Sequence, residues 1–74
     1  MEIKQLEYFA AAVEYGSLNR AAEKLYTTQP NVSRVLNSLE KELHVTLLER
    51  SNKGIKMTPQ GEELYGHAMS ILKH

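Results

Sequence analysis

Seventy-four residues and 8.4 kDa allow one small domain, and a hydrophobic content of 42% sets it among globular chains rather than disordered ones. Nine Lys+Arg balance nine Glu, with no Asp, Cys or Trp. That excludes a disulfide framework, a thiolate zinc site and a cysteine nucleophile, and any serine triad would need Glu as its third member. The apolar runs are too short to span a bilayer, and no basic leader precedes an apolar stretch, so neither a membrane segment nor a signal peptide is expected. A domain of this size buries only about 60% of its unfolded surface, so part of its apolar surface is expected to face a partner or a second domain. The zero net charge argues against a nucleic-acid partner unless the charges are segregated along the chain.

The first predicted helix covers about Glu2 to Tyr15, with Ile3, Leu6, Phe9, Ala10 and Val13 on one stripe. Gly16 suits its left-handed end, and Ser17 offers an N-cap to the next helix. That second helix is short, about Leu18 to Leu25, and Leu18, Ala21, Ala22 and Leu25 complete one apolar face. The alanine pair lets another helix cross closely. Tyr26-Thr27 breaks the pattern, and Thr28 caps a third helix opening at Gln29-Pro30, where proline is tolerated because first-turn amides lack intrahelical partners.

The third helix runs to about Leu43 on a stripe of Val32, Val35, Leu36, Leu39 and Leu43. Its opposite face carries Pro30, Arg34, Asn37 and Lys41, flanked by Ser33 and Ser38, and acids enter only with Glu40 and Glu42. From Val45 the period changes. Two extended runs around Ser51-Asn52-Lys53-Gly54 predict a small hairpin, with an irregular loop as the alternative. Thr58-Pro59 then starts a fourth helix, with Glu62 and Glu63 near its positive end. Leu64, Ala68, Ile71 and Leu72, with Tyr65 and Met69 beside them, make a stripe wider than one small domain requires, still periodic at His74.

Two helices joined by a short turn, the second with a polar, acid-free outer face, describe a helix-turn-helix whose second helix enters the major groove. Gln29 can pair with adenine, Arg34 can fork onto guanine or a phosphate, and Thr28 and Ser33 are short donors suited to phosphate oxygens. A solvated helix face is the plain alternative. The hairpin adds Arg50, Lys53 and Lys56, three cations within seven residues, in the position of a wing able to reach the adjacent backbone or minor groove. His44, His67 and His74 are too scattered for a metal site, with His44 read as a surface turn residue. Glu62 and Glu63 diverge on their helix, and nothing suggests an enzyme. Tyr8, Tyr15, Tyr26 and Tyr65 could stack on bases but are expected as half-buried packing.

Leu18-x-x-Ala21-Ala22-x-x-Leu25, Thr28-Gln29-Pro30-x-Val32-Ser33-Arg34, Leu39-Glu40-x-x-Leu43, Leu47-Leu48-Glu49-Arg50 and Thr58-x-x-Gly61 together resemble the LysR-type transcriptional regulators over residues 3 to 72. The resemblance implies a mainly α fold: a winged helix-turn-helix of three core helices and a short β-hairpin over residues 1–58, then the start of a long linker helix at 59–74. It implies DNA contacts from Thr28, Gln29, Pro30, Ser33, Arg34 and Asn37 on the recognition helix, and from Arg50, Lys53, Lys56 and Thr58 around the wing. It further implies a homodimer, or a higher oligomer at full length, paired through Leu64, Tyr65, Ala68, Met69, Ile71 and Leu72. The partners expected are double-stranded DNA and a second copy, with RNA polymerase a further partner to consider and no membrane. The location expected is the cytoplasm. No cofactor is expected in this stretch. A small-molecule effector would belong to an effector-binding domain of periplasmic-binding-protein type elsewhere in the full-length protein.

Some positions depart from the family pattern. Leu18 and Leu48 stand where Phe is common, and Asn37 where many members carry a basic or long polar residue. Asn31 replaces a small apolar residue and reads as solvated, with a base contact as the alternative. A winged helix used as a protein-docking module would instead show an apolar row among positions 30, 34, 37 and 41, and the chain has none. The charges are indeed segregated. Residues 1–25 hold three Lys+Arg against four Glu, residues 26–61 five against three, and residues 62–74 one against two. A basic centre therefore lies between two mildly acidic ends.

Overall fold

The computed structural model describes residues 1–72. Its elements run α1 (Ile3–Tyr15), α2 (Leu18–Lys24), α3 (Gln29–Leu43), β1 (Leu48–Ser51), β2 (Gly54–Met57) and α4 (Pro59–Leu72). The predicted helices are all present, and the segment after Val45 is a hairpin. Residues 73–74, up to which the fourth helix is expected to continue, lie outside the described residues.

Helix α1 is the hub, packing against α2, α3 and α4. Phe9, Val32, Leu36, Leu39 and Leu47 are the largest enclosed side chains of the core, joined by Tyr8, Ala12, Ala22 and Leu48. The α2 alanines are fully enclosed, as their size predicts, and Leu18 and Leu25 are half-buried beside them. The α1 stripe differs from expectation. Ile3 is exposed, and the buried face is widened to Leu6, Tyr8, Phe9, Ala10, Ala11 and Ala12. A hub helix is covered on several sides, so a single 3.6-residue stripe understates what it buries.

The helix ends show how the chain turns. Gly16 closes α1 in the left-handed conformation (φ 64°), and Ser17 accepts the Arg20 amide at 3.3 Å to open α2. Two further left-handed residues are not glycines: Tyr26 (φ 57°) after α2 and His44 (φ 59°) after α3. Each is followed by an amide reaching back to the last turn, Thr27 N–H to Ala22 O at 2.9 Å and Val45 N–H to Glu40 O at 3.2 Å. These are Schellman closures, a position that glycine normally fills.

The antiparallel hairpin pairs Leu48 with Met57, Glu49 with Lys56, Arg50 with Ile55 and Ser51 with Gly54. Asn52-Lys53 form the tip, and the positive φ falls on Gly54 (114°). A Cβ on Gly54 would stand 3.2 Å from the Gly16 carbonyl, so the hairpin rests closely on the α1–α2 turn. At the hairpin's other end, Glu40 Oε2 accepts the Leu47 and Leu48 amides at 2.6 and 3.1 Å. The Leu47 carbonyl accepts the Thr58 amide at 3.0 Å, and a Cβ on Gly61 would lie 2.1 Å from the same oxygen. The start of α4 is thus seated directly on Leu47.

Candidate nucleic-acid interface

Thr28 opens α3 by accepting the Asn31 amide at 3.3 Å. That bond uses an acceptor lone pair, so the hydroxyl hydrogen remains free to donate to a phosphate oxygen. Pro30, Arg34, Asn37 and Lys41 are exposed on the outer face of α3, and Gln29 and Ser33 are half-buried at its edge. Beside them a cleft of about 320 Å³ opens between the start of α2 and the hairpin, lined in part by Ser17, Asn19, Gln29, Arg50 and Asn52.

The wing cations separate. Arg50 lies on the same side of its strand as buried Leu48 and reaches α3, donating Nη1 to Ser33 Oγ at 2.9 Å and Nη2 to Asn37 Oδ1 at 3.0 Å. A guanidinium has five N–H donors, so three stay available. Lys53 projects from the exposed tip, where its backbone amide donates to Ser51 Oγ at 3.2 Å. Lys56 is exposed opposite Glu49 in the strand register, on the hairpin face turned away from Arg50. Thr58 behaves differently from Thr28. Its hydroxyl donates to the Thr46 carbonyl at 2.6 Å, lies 3.3 Å from the Leu47 carbonyl, and accepts the Gly61 amide at 3.0 Å. Its donor is spent inside the fold, so this geometry leaves none for a phosphate.

The α4 stripe also divides. Ala68 is fully buried, and Leu64 and Tyr65 pack inward, Tyr65 edge-on to Phe9 with ring centroids 6.3 Å apart. Met69 and Leu72 line a groove with Ala10, Ala11, Tyr15 and Leu25, and Ile71 is 48% exposed. The outer part of the stripe, Met69, Ile71 and Leu72, is only partly covered.

Three further side chains differ from expectation. Asn31 is half-buried rather than solvated: its Nδ2 donates to Thr27 Oγ1 at 2.9 Å and lies 3.5 Å from the Tyr8 hydroxyl, while its Oδ1 accepts from Arg34 Nη2. Tyr8 is buried, and Tyr26 is 96% exposed because the left-handed turn swings it away from α2. Sequence reasoning also passed over Glu40 as a structural group. Its signal was available in the Leu39-Glu40 pair, an acid at the end of an apolar stripe just before a change of period.

Against known proteins, the family described as bacterial regulatory helix-turn-helix protein, lysR family, matches residues 3–62. The chain belongs to the LysR family. It is 43% identical over 74 residues to the HTH-type transcriptional regulator BenM of Acinetobacter baylyi, covering 100% of this chain and 24% of that protein. It is 42% identical over 73 residues to the nitrogen assimilation regulatory protein nac of Escherichia coli, covering 99% and 24%. The chain thus spans about a quarter of the length of these curated relatives. Its fold matches the crystal structure of the BenM DBD/catB site 1 DNA complex with a TM-score of 0.95 at 44% identity, over 99% of this chain and 82% of that one. The CbnR DBD–DNA complex gives a TM-score of 0.94 at 42% identity, over 99% and 84%. The LysR-family winged helix-turn-helix is therefore the architecture on which these side chains sit. Among its described residues no helix is long and apolar enough to cross a membrane.

Proposed function

We propose that this chain is the sequence-specific DNA-binding part of a LysR-type transcriptional regulator, binding promoter DNA as a dimer. The observation that carries the reading is the bridge from Arg50 to Ser33 and Asn37, which joins the wing and the outer face of α3 into one donor-rich surface. A surface of that kind suits a polyanion, and α3 is the element that suits the major groove. Arg34 and Gln29 read base edges; Thr28, Ser33, Arg50 and Lys53 hold phosphates or the minor-groove margin. Asn37 contributes mainly by holding Arg50. Residues 1–58 form the DNA-binding unit, and residues 59–74 begin the linker helix through which two copies pair, using Met69, Ile71 and Leu72.

In the full-length protein we assign effector response to a further domain that takes a small molecule, RNA polymerase as a further partner, and the cytoplasm as location. The relatives are regulators by name, and the proposed role is regulation rather than catalysis. Selecting bound sites from randomised duplex DNA with the full-length protein, at stated salt, tests the reading. An interrupted inverted repeat is the expected product. No enrichment over unbound DNA would instead point to a protein-docking use of the same fold.

A further inference from the structure

Asn31 is the third residue of α3, between the buried hub helix and the outer face. Its side chain has one acceptor oxygen and two N–H donors. Both donors point inward, one to Thr27 Oγ1 at 2.9 Å and the other toward the Tyr8 hydroxyl at 3.5 Å. The oxygen accepts from Arg34 Nη2, one turn along the same helix. Reading adenine would need a free N–H donor beside the oxygen, and Asn31 has none left. The alternatives of a solvated side chain or a base contact both give way to a third role.

We propose that Asn31 is a positioning residue that sets the orientation of the Arg34 guanidinium before DNA arrives, and so sharpens the specificity of the base pair Arg34 reads. Tyr8 belongs to the core and Thr27 to the turn between α2 and α3, so the chain Tyr8/Thr27–Asn31–Arg34 ties an exposed arginine to fixed points of the fold. An unrestrained arginine gives up much rotamer freedom when it docks. One already held by its neighbour loses less, and loses it for one guanidinium direction, which favours a single base arrangement over the others. The remaining guanidinium donors stay free for that base.

This inference rests on the reading that Arg34 faces DNA, and the test separates the two. Full-length protein carrying Asn31→Ala, Thr27→Val, Arg34→Ala, and the doubles Asn31→Ala/Arg34→Ala and Asn31→Ala/Thr27→Val is titrated against the selected site and against variants with each base pair changed in turn. Alanine is a strong helix former, so α3 is retained, and thermal unfolding of each variant checks this. The expected result is that Asn31→Ala lowers discrimination by about two- to tenfold at the base pair Arg34→Ala relaxes. Thr27→Val gives a smaller loss at that pair and adds nothing to Asn31→Ala, and Asn31→Ala adds nothing to Arg34→Ala. Affinity for non-specific DNA and its salt dependence stay as in the parent. Loss of discrimination at a different base pair, additive with Arg34→Ala, would make Asn31 a base contact and overturn the proposal. Equal weakening on every DNA with a lowered melting temperature would overturn it in favour of a purely structural role. If Arg34→Ala itself leaves sequence preference unchanged, the assignment of the α3 face fails, and this inference with it.

Discussion

The two ends of the β-hairpin are held in opposite ways. At its base, Leu47 and Leu48 are buried, their amides are taken by Glu40, and the Leu47 carbonyl is shared by Thr58 and pressed by Gly61. Toward its tip, the side-chain link to α3 is the exposed strand residue Arg50 with its bonds to Ser33 and Asn37. The base is a closed account of buried polar groups, where each missing partner carries a full desolvation cost. The exposed side chains toward the tip form an open one, where water can replace the partners of Arg50. On the proposed reading, a wing that meets DNA needs both: a base fixed firmly enough to aim it, and outer donors that can exchange an internal partner or water for phosphate.

The largest effect should come from breaking the base. Gly61→Ala places a methyl against a backbone carbonyl that cannot retreat without moving β1 or α4, and should cost about 3 kcal/mol by equilibrium urea unfolding. Glu40→Ala leaves two strand-entry amides without their charged acceptor and should cost about 2 kcal/mol in the same measurement. Toward the tip the balance reverses. Arg50→Ala should cost the fold under about 1 kcal/mol, since its partners are exposed, yet weaken DNA binding about tenfold by titration. Lys53→Ala should leave unfolding unchanged and reduce the salt-dependence slope of binding by about one unit, equally for all sequences. Smallest, and opposite in sign, His44→Gly should stabilise the chain by about 0.5–1 kcal/mol, because glycine takes the left-handed closure of α3 without the Cβ penalty. A destabilisation by Arg50→Ala as large as that by Gly61→Ala would erase the contrast between the two ends.

Much of the helical frame was legible because it depends on local patterns. The Ala21-Ala22 pair, the Ser17 and Thr28 caps and the Gly16 closure each act over a few residues and appear as expected. The breadth of the α1 face was not legible, since which side of a hub helix is covered depends on elements far along the chain. Thr28 and Thr58 look alike in sequence, each a hydroxyl before a proline-started helix. Only the neighbouring Thr46 and Leu47 carbonyls use up the donor of one and leave that of the other. The same holds for Asn31, whose partners stand on α1 and in the preceding turn.

By itself the sequence determined the basic centre flanked by acidic ends, the order of elements, and the acid-free face of α3, because charge and periodicity are properties of neighbouring residues. The tertiary structure decided which of those donors remain free. It gathered Arg50 with Ser33 and Asn37, left Lys56 opposite Glu49, enclosed Thr58 and tethered Arg34 through Asn31. A hydrogen bond depends on distances between atoms that the chain brings together only by folding, so a list of candidate donors becomes a site only once their partners are known.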